Sequence, residues 1–98
     1  MTRLLDDEEI DRQLQALGPW RRVEGQPAIT ATFELADFAG ALDFVNQVGH
    51  EAELMNHHPD IDIRWNQVTL VLSTHSAGGL TQLDIELAHR VTTEAGLD

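Results

Sequence analysis

Between Asp37 and Pro59 the chain carries a hydrophobic repeat that suits an α-helix and no other regular backbone. Phe38, Ala41, Leu42, Val45, Val48, Ala52 and Met55 recur at i, i+3, i+4 and i+7 spacing, which gathers them on one stripe. Asp37 reads as the N-cap. Pro59 sets the far limit: its ring cannot continue a helix and it pushes His58 toward extended backbone, so the helix must end near Asn56. An amphipathic helix in the middle of a 98-residue chain needs an apolar surface to lie on.

The flanking segments supply that surface, because their period switches from 3.6 to two. Upstream, Ile29, Ala31, Phe33 and Leu35 alternate with Thr30, Thr32 and Glu34, and with Trp20–Val23 and a turn at Glu24-Gly25 they predict a hairpin. Downstream, Ile61, Ile63 and Trp65 alternate as a third strand, Asn66-Gln67 is the expected turn, and Val68–His75 the returning strand. Two further helices bracket these hairpins. The first is capped by Asp6 or Asp7, with Ile10, Leu14 and Leu17 on one face and Gly18-Pro19 as its stop. The last is capped by Thr81, with Leu80, Leu83, Leu87, Ala88 and Val91 along its buried side. The predicted order α-β-β-α-β-β-α gives an α+β fold: a small antiparallel sheet of about four strands with three helices on one face. One domain spanning 1–98 accommodates it. A domain of this size buries only somewhat over ~60% of its unfolded surface. A homo-oligomer, dimer or tetramer, is therefore the expected way to cover what remains open.

Charge narrows the partners. Seventeen acidic residues against six basic ones give a formal net charge of −11. That argues against nucleic acid, whose backbone is bound by clustered Lys and Arg, and against anionic membranes and highly phosphorylated ligands. A neutral heterocycle is not penalised. There is no cysteine, so disulfides, thiolate nucleophiles and sulfur-ligated metals drop out. No run approaches the ~20 apolar residues of a membrane helix. The acidic segment after Leu5 does not read as a signal peptide, and the expected location is the cytoplasm.

Three of the five histidines fall where the backbone changes state. His57 and His58 leave the central helix, and His75 closes the last strand before Gly78-Gly79. If the third and fourth strands pair, all three come to one rim of the sheet, a common place for binding and catalytic groups. Imidazoles both give and take protons near neutral pH, so two or three around one substrate can supply the acid and the base of an elimination. Glu53, one turn before His57, and Asp84, on the last helix, are candidates to orient them. Each also has a structural reading: Glu53 as a solvated face residue, Asp84 as the partner of Thr81 in a capping box. Trp20 and Trp65 read as core or subunit contacts, and His50 and His89 as surface. Adjacent His57 and His58 are poorly spaced for one metal ion, since neighbours in extended backbone point to opposite faces; no metal site is expected.

Glu53-x-x-x-His57-His58-Pro59, then Trp65, His75 and Asp84, separated by five, nine and eight residues, resemble the motif of the pterin-4a-carbinolamine dehydratases. The words HHPDI, STHSAGGLT and LDIELA resemble that family too, as does Trp20 after the first helix. The resemblance covers nearly the whole chain. It implies dehydration of 4a-hydroxytetrahydrobiopterin to quinonoid dihydrobiopterin in pterin recycling, with no cofactor, because the pterin is the substrate. It also implies His57 and His75 as the acid–base pair, with His58 chiefly holding the pterin. The substrate-binding set would be Asn56, Pro59, Ser73, Thr74, Ser76, Trp20, Glu53 and Asp84. Ser76 stands where many relatives carry an acidic residue. Two other readings stay open: a non-catalytic dimerisation or binding module, and a relative acting on another pterin such as a molybdopterin precursor.

Overall fold

The computed structural model describes residues 3–96. Along them run α1 (Asp7–Leu14), β1 (Arg21–Arg22), β2 (Ile29–Glu34), α2 (Phe38–Met55), β3 (Asp60–Arg64), β4 (Gln67–Leu72), a 3₁₀ turn (His75–Ala77) and α3 (Gln82–Glu94). The four strands form one antiparallel sheet in the order β1-β2-β4-β3, so the α+β architecture is the expected one. The central pair is β2 with β4, and the second hairpin therefore lies inside the sheet on one side and at its edge on the other.

Register explains why one face of this sheet takes the helices. Across β2 and β4, Ile29 faces Leu72, Ala31 faces Leu70 and Phe33 faces Val68, all of them buried. The intervening pairs are Thr30 with Val71, Thr32 with Thr69 and Glu34 with Gln67, which give the opposite face its polar character. On that face the Thr32 and Thr69 hydroxyls lie 2.8 Å apart. Strand β3 follows the same pleat, with Ile61 opposite Leu70 and Ile63 opposite Val68. Being an edge strand, it leaves Ile61 exposed and Ile63 half-buried.

Against the apolar face lie Ala41, Phe44, Val48 and Ala52 of α2, joined by Ile85, Leu87, Ala88 and Val91 of α3. The stripe of α2 is thus rotated from the expected one. Phe44 enters the core, in ring contact with Phe33 at 5.0 Å, while Phe38 and Leu42 are exposed. The reason is that β4 and the neighbouring α3 together decide which apolar residues of an over-wide stripe are covered. On α3, Ile85 is buried and Leu83 half-buried, the reverse of the expected emphasis.

Several boundaries differ from the expected ones. Helix α1 ends at Leu14, before Leu17 and the expected stop at Gly18-Pro19, and β1 is only Arg21–Arg22, shorter than the expected Trp20–Val23. Trp65 is not in β3: it opens the turn with φ 52° and is 67% exposed, so the turn is Trp65-Asn66 rather than Asn66-Gln67. Strand β4 ends at Leu72, and His75 begins the 3₁₀ turn instead of closing the strand. Among the described residues no helix is long and apolar enough to cross a membrane.

Candidate active site

The exit of α2 is fixed by its C-cap. Asn56 adopts the left-handed conformation, φ 50° and ψ 45°, which Asn tolerates better than other non-glycine residues. The chain then folds back, and the His57 N–H donates to the Ala52 carbonyl at 3.0 Å. This six-to-one bond is the closing bond of a Schellman-type cap and ties His57 to the helix end. Pro59 then steers the chain into β3.

The opposite wall is the segment after β4. The Thr74 N–H donates to the Gly79 carbonyl at 2.9 Å, and the Ala77 and Gly78 N–H groups both donate to the Thr74 carbonyl at 3.0 Å. Gly78 closes the turn at φ 77°, where a side chain would be strained. A Cβ on Gly79 would come 3.1 Å from the end of the exposed Leu4 side chain, a tight contact that Leu4 would relieve by a small shift. These bonds hold His75 outward on a tight loop.

Between the two walls is a depression of about 270 Å³ lined by Asn56, His57, His58, Ser73, Thr74, His75 and Ser76. The three histidines named from the sequence thus share one concavity. A second depression, of about 280 Å³, shares Ser73, Thr74 and His75 with the first; Gln26, Pro27, Asp60, Val71 and Gly79 are among its other residues.

The two adjacent histidines live in different surroundings. His57 is buried, and its Nε2 lies 2.6 Å from Oδ1 of Asp84, which is fully buried. The His58 side chain is about half exposed and lies 2.5 Å from Glu53 Oε2, itself largely in solvent. Each histidine therefore has its own carboxylate, Asp84 for His57 and Glu53 for His58. Asp84 also completes the capping box of α3, accepting from the Thr81 N–H at 2.9 Å and from the Thr74 hydroxyl at 2.7 Å. The capping-box reading is thus met through Oδ2, while Oδ1 is the oxygen that faces His57. His75 is exposed.

Other residues named from the sequence lie elsewhere. Trp20 is buried in the core, donating from its indole Nε1 to the Thr92 hydroxyl at 2.9 Å and meeting Phe33 edge-on at 6.1 Å. It does not line the depression, and neither does Pro59, whose effect is on the backbone path. Sequence reasoning had Thr81 only as a helix cap, and it did not name Gln26, Pro27 or Asp60. Thr81 was legible as half of a capping box, but its distance from Thr74 is a tertiary fact. Among the described residues, no three His, Asp or Glu side chains converge to hold a metal ion.

The motif, the fold and this geometry meet a matching family. The model of the family described as pterin 4 alpha carbinolamine dehydratase matches residues 3–93. The chain belongs to that family. Among its pterin-4-alpha-carbinolamine dehydratase relatives, a protein of Roseiflexus castenholzii is 50% identical over 91 residues, covering 93% of this chain and 96% of the relative. One of Nocardia farcinica is 49% identical over 90 residues, covering 92% and 93%. Both carry the dehydratase name provisionally. A crystal structure from Brucella melitensis, described as a transcriptional coactivator/pterin dehydratase, superposes with a TM-score of 0.93 at 38% identity, over 96% of this chain and all of that one. A pterin dehydratase-like protein identified as a RuBisCO assembly factor in the alpha-carboxysome shares the fold, with a TM-score of 0.69 at 22% identity over 81% of this chain.

Proposed function

We propose that this chain is a working dehydratase of its family, converting 4a-hydroxytetrahydrobiopterin to quinonoid dihydrobiopterin in the cytoplasm. The observation that carries the reading is the depression in which His57, His58 and His75 meet, with a buried carboxylate behind His57. In this reaction a ring N–H proton is taken by a base while the 4a-hydroxyl accepts a proton and leaves as water. The nitrogen lone pair forms the new C=N bond as the C–O bond breaks, so no electrons are exchanged with a cofactor. His57 and His75 are the acid–base pair, and His58 with Glu53 holds the pterin. The concavity sits just below the usual ~300–1,000 Å³ of small-molecule pockets, which suits a bicyclic heterocycle and not a polymer.

The whole of 1–98 acts as one domain and assembles as a homo-oligomer. Exposed Phe38 and Leu42, one turn apart on α2, are the apolar surface that a second copy would cover. A phosphorylated pterin is disfavoured: besides the net charge, Arg22, a cation that could offset it, is engaged by Asp7 at 2.9 Å and Asp11 at 3.6 Å.

The test is turnover of the carbinolamine, generated in situ by a phenylalanine hydroxylase and followed by ultraviolet absorbance. Acceleration well above the spontaneous rate is expected. A folded protein that leaves the spontaneous rate unchanged overturns the assignment and points to the non-catalytic module.

A further inference from the structure

Proton counting around Asp84 goes beyond naming the histidines. As a carboxylate, Asp84 only accepts hydrogen bonds. Its Oδ2 receives the Thr81 N–H at 2.9 Å and the Thr74 Oγ1–H at 2.7 Å, and its Oδ1 lies 2.6 Å from His57 Nε2. The ring nitrogen must therefore be the donor. The Thr74 hydroxyl, having spent its one proton on Asp84, can only accept from the Thr81 hydroxyl, 2.8 Å away. Thr81 Oγ1 in turn accepts from the Leu83 N–H at 3.3 Å. One direction is consistent throughout: Leu83 N–H to Thr81, Thr81 to Thr74, Thr74 to Asp84, and His57 to Asp84 from the other side. Thr74, Thr81 and Asp84 are all buried, so water does not compete for these bonds.

The other ring nitrogen faces the opposite way. His57 Nδ1 has no hydrogen-bond partner among the described residues, yet none of the buried side-chain polar atoms there is unpartnered. Nδ1 therefore keeps some exposure to solvent, and His57 is among the residues that line the depression. The other ionisable groups at this rim are His58 and Glu53, which pair with each other, and His75, which has no side-chain hydrogen bond among the described residues.

We infer that Thr74 and Thr81 are positioning residues that lock Asp84 and thereby hold His57 as its Nε2–H tautomer, presenting Nδ1 as the proton-accepting atom. This deepens the dehydratase reading and rests on it for the direction of proton flow. His57 is the base: Nδ1 takes the proton from the substrate's ring nitrogen, and the ring becomes cationic against an anionic partner. His75 is the acid, giving its proton to the departing hydroxyl. Solvent returns the proton from His57 to His75 after each turnover.

Nitrogen-15 correlation spectra of the imidazoles, recorded without substrate above the ordinary imidazole titration range, test the tautomer directly. The wild type should show His57 in a single Nε2–H form. Thr74→Val should convert it to a mixture of tautomers while the circular dichroism stays unchanged, and Thr74→Ser should restore the single form. In turnover, Thr74→Val should lower kcat about tenfold or more with little change in KM, the scale on which losing a partner behind a functional imidazole acts elsewhere. Thr81→Val, which also weakens a helix cap, is the harsher variant, and Thr81→Ser should rescue it. An Nδ1–H tautomer in the wild type overturns the inference even if every valine variant unfolds. So does a folded Thr74→Val that keeps both the single tautomer and kcat. An inactive wild type with the Nε2–H tautomer overturns the dehydratase reading and the base assignment, leaving the positioning role intact.

Discussion

His57 and His58 are neighbours in sequence and differ in almost every physical respect. His57 is 8% exposed and bound to an interior carboxylate, whereas His58 stands half in solvent beside a mobile-length acidic side chain on the surface. Their losses should differ accordingly. His57→Ala or His75→Ala should cost about 10²–10⁴-fold in rate, as removal of a general acid or base does, with the fold retained by circular dichroism. His58→Ala should raise KM more than it lowers kcat, since the residue contributes to binding. Asp84→Ala should destabilise the protein as well as inactivate it, because three donors lose their acceptor inside the core. A cost of about 1–3 kcal/mol per stranded group is expected, read as a lower urea midpoint.

At the scale of elements, helix termini are set by local rules that can be broken singly, one at the site and one remote from it. Asn56 holds α2's exit in the left-handed region, and the His57 backbone depends on it. Asn56→Val should cost about 1–3 kcal/mol, since a β-branched residue is strained there, and it should also reduce activity by misplacing His57; Asn56→Gly should retain both. At α1, Glu9 completes a capping box with Asp6 and is paired with Arg3 at 2.7 Å. The Arg3 hydrogen bond, then the Asp6 backbone N–H, draw the Glu9 carboxyl down from 4.5 to about 2. A lowered folded-state value means that the ionised group stabilises the fold above pH 4.5, and that this contribution fades as pH falls toward 2. Unfolding of Glu9→Gln should accordingly show a shallower pH dependence across that window. The pair is open to solvent, so added salt should shrink the difference.

For the whole molecule, the governing quantity is a net charge of −11 on 98 residues. Like charges repel in the compact state, so raising ionic strength from about 0.01 to about 0.15 M should raise the urea midpoint, as the Debye length contracts from ~30 to ~8 Å. The same screening should favour assembly. The edge strands are protected by charge, with Arg21 and Arg22 on β1 and Asp60, Asp62 and Arg64 on β3. The α2 surface has no such protection at Phe38 and Leu42. A Phe38→Glu, Leu42→Glu double variant should keep its secondary structure and sediment as a smaller species than the wild type. An unchanged sedimentation coefficient would remove α2 from the proposed interface.

The order of elements, the capping residues Asp6, Asp37 and Thr81, and the end of α2 at Asn56 were all written locally, in periodicity and in the chemistry of single side chains. So were the three histidines, because changes of backbone state are visible at Pro59 and at Gly78-Gly79. What local rules could not supply was anything that depends on which surfaces meet. Phe44 rather than Phe38 fills the core because α2 lies against β4 and α3. Trp20, read locally as a core or subunit contact and placed in the substrate-binding set only by the resemblance, is in the core, donating to Thr92 seventy-two residues away. Trp65 leaves its strand because the β3–β4 register closes one residue earlier than alternation suggests. The assignment of Asp84 to His57 needed the exit of α2 and the start of α3 in place together, which left Glu53, across the helix end, to His58. A hydrogen bond between residues twenty-seven apart is decided by packing, and no period in the sequence encodes its distance.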